Sequence, residues 1–224
     1  MYFSRLNMTH KGLSVLLSAS EYGLHRALWT LFADRPDRER DFLYRRMDEG
    51  PRPEFLCLSA RAPVNDGRWS VETKAFEPRF RAGQVLEFSL RANPVRTQWV
   101  DGKQKRRDVV MDHKKRLEAR GLPREQWPTG AAIVQEAGAA WILERAERWG
   151  IRFDCRSLRA DGYRVLDFTK NGGGQRRQVR LATVEFSGVL EIVNPGLLRD
   201  VMATGVGPAK GFGCGLLLLK PSRS

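Results

Sequence analysis

The chain has 224 residues, enough for one domain or two small ones with real cores. Its 39 Lys and Arg stand against 26 Asp and Glu, a formal charge of +13 with pI near 10.3, and such an excess points to a polyanionic partner, since each phosphate neutralised releases counterions. An anionic membrane surface is the rival reading, but no stretch approaches the ~20 apolar residues of a spanning helix and no signal peptide precedes the first strand, so a soluble, cytoplasmic protein is expected.

Strand-like alternation runs over residues 2–8, 42–46, 54–61, 68–75 and 85–91. Between the first two, residues 21–33 read as a helix. Leu24, Leu28 and Leu31 recur at i, i+4 and i+7, Ala27 and Phe32 widen that stripe, and Ser18 or Ser20 suits its N-cap. The tetrapeptide RANP, Arg91 to Pro94, interrupts the pattern, and a basic stretch follows. Over 103–120 that stretch holds eight cationic residues, Lys103, Lys105, Arg106 and Arg107 among them, against three acids. It suits a phosphate backbone or the solvated face of a helix. A second helix is expected over 131–149, ended by Gly150, then strands over 151–156, 163–168 and 176–193. Pro195 opens a short helix, a glycine-rich loop follows, and residues 216–220 make a last strand.

Strands in adjacent runs, instead of in strict alternation with helices, favour α+β architecture over one parallel sheet. The expectation is two tandem ferredoxin-like (RRM-like) domains, residues 1–93 and 101–224, joined by a linker at 94–100. Three cysteines (Cys57, Cys155, Cys214) and three histidines (His10, His25, His113) are scattered without any CxxC pair, so no disulfide framework, metal site or cofactor is expected.

Three segments carry candidate chemistry. In EYGLHRALW, residues 21–29, Tyr22 and His25 are three apart and share a helix face distinct from the leucine stripe, with Trp29 a turn further on. They lie in the first turns, where backbone N–H groups and the helix dipole favour an anion. A phosphate there meets an imidazole that titrates near neutrality, the group suited to moving a proton in RNA cleavage; a half-exposed histidine beside an interfacial tyrosine accounts for the same letters. In DFTKNGGGQRRQVR, residues 167–180, three glycines cap a hairpin flanked by Lys170, Arg176, Arg177 and Arg180. It fits a groove of folded RNA, or an edge blunted by charge. In GVGPAKGFGCG, residues 205–215, Lys210 is followed by Gly211 and then a strand-like run, which fits neither a Walker A loop nor a dinucleotide fingerprint. Glycines serve where a backbone needs positive φ or close approach.

Taken together, YGLHRALW, LRANPVRT, VEFSGVLEI and GVGPAKGFGCGLL, in this order and across essentially the whole chain, resemble the CasE family, the CRISPR repeat-processing endoribonucleases of type I-E Cascade complexes. The resemblance implies two tandem ferredoxin-like domains. It implies metal-independent cleavage at the 3′ base of the repeat stem-loop of the long CRISPR transcript, by attack of the ribose 2′-OH. The products are a 2′,3′-cyclic phosphate and a 5′-OH, and the hairpin stays bound beside other Cascade subunits. His25 matches the family's proton-transfer histidine. Tyr22 matches a tyrosine that orients or activates the nucleophile, and Lys170 falls where a hairpin lysine steadies phosphate charge. A neighbouring basic position is Phe168 or Thr169 here, leaving Arg176 or Arg177 to take its place. RNA contacts are expected from Arg26, Lys103, Lys105, Arg106, Arg107, Arg176, Arg177, Arg180 and Lys210, and from the backbone at Gly205, Gly207, Gly213 and Gly215. Those glycines either meet RNA, which is read by shape and by phosphate or 2′-OH contacts, or support the neighbouring helix. A non-catalytic hairpin-binding subunit of the same fold is the alternative.

Overall fold

The computed structural model describes residues 1–16, 21–32, 39–47, 53–100, 102–172 and 175–222. The chain opens with β1 (Tyr2–Met8), whose Ser4, Leu6 and Met8 point inward on alternate positions. Helices α1 (His10–Leu16) and α2 (Glu21–Trp29) follow, and α2 tightens into a single 3-10 turn at Thr30–Phe32. Strands β2 (Phe42–Arg46), β3 (Glu54–Ser59) and β4 (Trp69–Ala75) complete an antiparallel sheet of order β2-β3-β1-β4. That order is the ferredoxin-like one, but the connection from β3 to β4 is a loop without a helix.

The second unit begins with β5 (Val85–Ala92), a strand the expected 1–93 domain had claimed. Its hydrogen bonds go elsewhere. Val85–Ala92 pairs with β10 (Gln175–Ile192) and β11 (Leu217–Pro221), so the change from one sheet to the other falls between residues 75 and 85. The expected linker at 94–100 is also structured. Strand β6 (Val95–Val100) forms a hairpin with β7 (Lys103–Asp108), and the basic stretch divides between β7 and α3 (Val109–Ala119). Asp108 makes that division: its carboxylate accepts from the Val110 and Met111 amides at 2.8 and 3.3 Å and caps the helix. Helix α4 (Gly130–Leu143) ends six residues before the sequence pattern suggested, passing through a turn to Gly150, whose φ of 67° closes it.

Strands β8 (Ile151–Phe153) and β9 (Arg159–Gly172) lie along one edge of β10 as an interrupted second strand, with β5 on the other edge. Helix α5 (Pro195–Thr204) then leads into the glycine loop and β11. Counting β8 and β9 together, the order β11-β5-β10-β8 repeats the ferredoxin-like arrangement. The chain is two ferredoxin-like domains in tandem.

The leucine stripe of α2 is buried as its spacing implied. Leu24, Leu28 and Leu31 pack with Leu6, Phe55 and Trp69. A second core gathers Trp141 and Ile142 of α4 with Phe186, Leu190 and Leu90, and Leu43 and Leu58 of the first sheet join it. The domains therefore share buried apolar surface. Across the same junction Arg45 donates to Ser89 Oγ and Glu185 at 2.8 Å each, and Arg91 also donates to Glu185.

Candidate active site at the domain junction

Helix α2 turns its leucines into the core, which leaves His25 on the flank facing the second domain. The ring is half-buried, with Trp29 of its own helix at 5.9 Å and Phe212 of the glycine loop at 6.0 Å between centroids. Phe212 is in turn 4.7 Å from Phe168 of β9. Helix, loop and hairpin strand thus meet at one imidazole. Phe168, one of the two residues expected at the hairpin position without a basic side chain, is buried in this aromatic chain.

The loop reaches α2 through a short 3-10 turn, Lys210–Phe212. A Cβ on Gly211 would stand 3.3 Å from His25 Cε1 and 3.1 Å from an Arg40 guanidinium nitrogen, tighter than most real contacts. Tyr44 of β2 holds this turn from the first domain, its hydroxyl donating to the Gly211 carbonyl at 2.8 Å. The glycine content thereby has a local cause, the close approach of a backbone to a helix face. Gly213 and Gly215 are buried, and a Cβ on Gly205 would collide with Leu43 at 2.6 Å. Gly205 and Gly213 pack across the junction, against Leu43 and Tyr44, and Gly215 packs against Val206 of its own loop; none of the three is an open backbone surface. Gly207 alone of the four expected contacts is exposed.

Two cations flank the turn. Arg40 is half-buried, and loss of water lowers its pKa, partly offset by Tyr44. Lys210 is also half-buried; burial first, then the charge of Arg40, push its ammonium below the ordinary lysine range, while it donates to the Thr204 carbonyl. Nothing in the sequence marks Arg40 or Tyr44. Their relevance comes from folding β2 against a loop that lies far along the chain.

The remaining expected residues fall in three places. Arg26 is exposed beside His25, and Arg180 is exposed on β10 opposite Asp167. Lys103, Lys105 and Arg106 are exposed on β7, where Arg107 lies 3.9 Å from Asp112; this hairpin forms its own two-stranded sheet. Tyr22 lies in α2 and Lys170, Arg176 and Arg177 in the β9–β10 hairpin, but their side chains are outside those the structure describes. Backbone register pairs Lys170 with Arg177 and Asn171 with Arg176.

Residues 1–221 match the family described as CRISPR associated protein. The chain belongs to that family. Over 205 residues it is 34% identical to the CRISPR system Cascade subunit CasE of Escherichia coli, covering 89% of this chain and 92% of that one. It is 28% identical over 221 residues to the CRISPR-associated endoribonuclease Cse3 of Thermus thermophilus, covering 91% of each. A solved Cse3 endoribonuclease bound to a 19-nucleotide RNA superposes with a TM-score of 0.71 at 25% identity, over 99% of this chain and all of that one. This member of the CRISPR associated family brings its helix α2, glycine loop and basic hairpin together. Among the described residues no helix is long and apolar enough to cross a membrane.

Proposed function

We propose that this protein is a metal-independent endoribonuclease that cuts the repeat stem-loop of a CRISPR transcript and keeps the product hairpin as a Cascade subunit. One observation carries the reading: the imidazole of His25 is held where α2, the glycine turn and strand β9 converge, at the junction of two ferredoxin-like domains. A ribose–phosphate junction laid there meets a group able to take the 2′-OH proton or return one to the 5′ leaving oxygen. The 2′ oxygen bonds to phosphorus, the bond to the 5′ oxygen breaks, and the strand ends as a 2′,3′-cyclic phosphate and a 5′-OH.

Tyr22 precedes His25 by three residues on the helix, the spacing of neighbours on one face. Lys170 stands two residues beyond Phe168 on β9; its register partner is Arg177, and that of Asn171 is Arg176. One of these two arginines takes the basic position that Phe168 or Thr169 does not fill. The role of the glycine loop is to buttress His25, with Lys210 as its cation.

Cleavage of a repeat hairpin in EDTA, beside a substrate with one 2′-deoxy sugar at the cleavage position, tests the reading. The ribose substrate is expected to be cut to the cyclic phosphate and 5′-OH ends, and the deoxy substrate to bind as tightly and stay whole. Cutting of the deoxy strand, or failure in EDTA, overturns it.

A further inference from the structure

Behind the glycine turn, a cavity of about 370 Å³ opens between the first sheet and the end of α5, within the range of pockets that hold small ligands, about 300–1,000 Å³. Its walls include Arg40, Asp41, Leu58, Ala203, Thr204 and Lys210. Asp41, the acid in this wall, is already engaged: Arg61 donates to its two oxygens at 2.7 and 3.4 Å. Arg40 and Lys210 are left as two half-buried cations side by side in one cavity, and among the described residues no carboxylate pairs with either. Removing like charges from water next to each other is unfavourable unless an anion joins them. Arg40 also borders the catalytic group, since its guanidinium and the His25 ring both lie within 3.5 Å of the point where Gly211 lacks a Cβ.

We propose that this cavity is a phosphate subsite, in which Arg40 and Lys210 hold the backbone phosphate next to the one cleaved at His25. The inference rests on the endoribonuclease reading and adds to it a strand register. The planar guanidinium matches two phosphate oxygens at once, Lys210 adds a point charge, and fixing the neighbouring phosphate sets the scissile one against the imidazole. Arg40 is a positioning residue in this scheme. It acts on rate through geometry, and a small displacement of reacting atoms is enough to slow a step severely.

The test is a cycle between protein and RNA. Single-turnover cleavage and Kd are measured for wild type, Arg40→Gln, Arg40→Lys and Lys210→Met. The substrates are a native repeat hairpin and two hairpins with one neutral methylphosphonate linkage, placed immediately 5′ or immediately 3′ of the cleavage point. Arg40→Gln and Lys210→Met are each expected to slow cleavage of native RNA roughly 10- to 100-fold, with a smaller change in Kd and partial recovery in Arg40→Lys. One of the two neutral linkages should slow wild type as much, and combining it with either substitution should cost nothing further. Losses that multiply for both linkages overturn the proposal, as does wild-type cleavage by both substituted proteins. Should Arg40→Gln fail to fold, the Lys210→Met cycle decides alone. Wild type that does not cut native RNA is the separate failure of the endoribonuclease reading.

Discussion

The two ferredoxin-like domains differ at the connection into their last strand. In the first, the step from β3 to β4 is a bare loop; in the second, the matching step from β10 to β11 carries α5 and then residues 205–216. That longer connection leaves its own domain. Gly205 meets Leu43, Gly213 meets Tyr44 and Gly211 meets His25, all on the first domain. The duplicated fold has divided labour accordingly. One copy presents an imidazole on a helix, and the other supplies the backbone that braces it and the basic hairpin alongside.

The comparison breaks first at the polar junction. Glu185→Ala leaves Arg45 and Arg91 facing each other without their shared carboxylate, and a partly buried pair so broken is expected to cost about 3 kcal/mol in urea unfolding. A change under about 0.5 kcal/mol would mean that the domains are held by apolar contact alone. Gly205→Ala is the next largest. It combines φ of 76° with a Cβ 2.6 Å from Leu43, so about 2 kcal/mol is expected. Gly67→Ala is its control in the first domain, with φ of 79° but open space around the site, and should cost only about 1 kcal/mol. Equal losses in the two variants would remove the Leu43 contact from the account.

Tyr44→Phe deletes the hydrogen bond to the Gly211 carbonyl at an expected cost of about 1 kcal/mol. Cleavage should slow with it, because the turn that backs His25 loses its tether; an unchanged rate would separate the brace from the chemistry. The smallest effect on stability belongs to the hairpin cations. Replacing Arg176 and Arg177 by Gln should leave the urea midpoint nearly unmoved while lowering RNA affinity and reducing the salt slope by about 2. A slope equal to wild type would show that this hairpin does not touch RNA.

Much of this was legible in the sequence where periodicity alone decides. The leucine stripe of α2 and the flank carrying His25 follow from a 3.6-residue repeat, and most strands follow from alternation. Sheet membership does not. Val85–Ala92 alternates identically whichever sheet it joins, and only pairing with residues about a hundred positions away assigned it. The β6–β7 hairpin was hidden for a different reason: β7 is largely solvent-exposed and polar, so no apolar alternation marks it. Arg40 and Tyr44 belong to a third class, made relevant only by a loop some 170 residues on. The glycine loop was recognisable as a close approach, yet its letters left open what approaches it, and folding answered with a helix face.

The central claim, that the His25 ring moves the proton, is tested most directly by His25→Ala in single-turnover cleavage of the repeat hairpin, with Kd measured on the same RNA. The account predicts loss of cleavage with Kd nearly unchanged. Cleavage at the wild-type rate would contradict it.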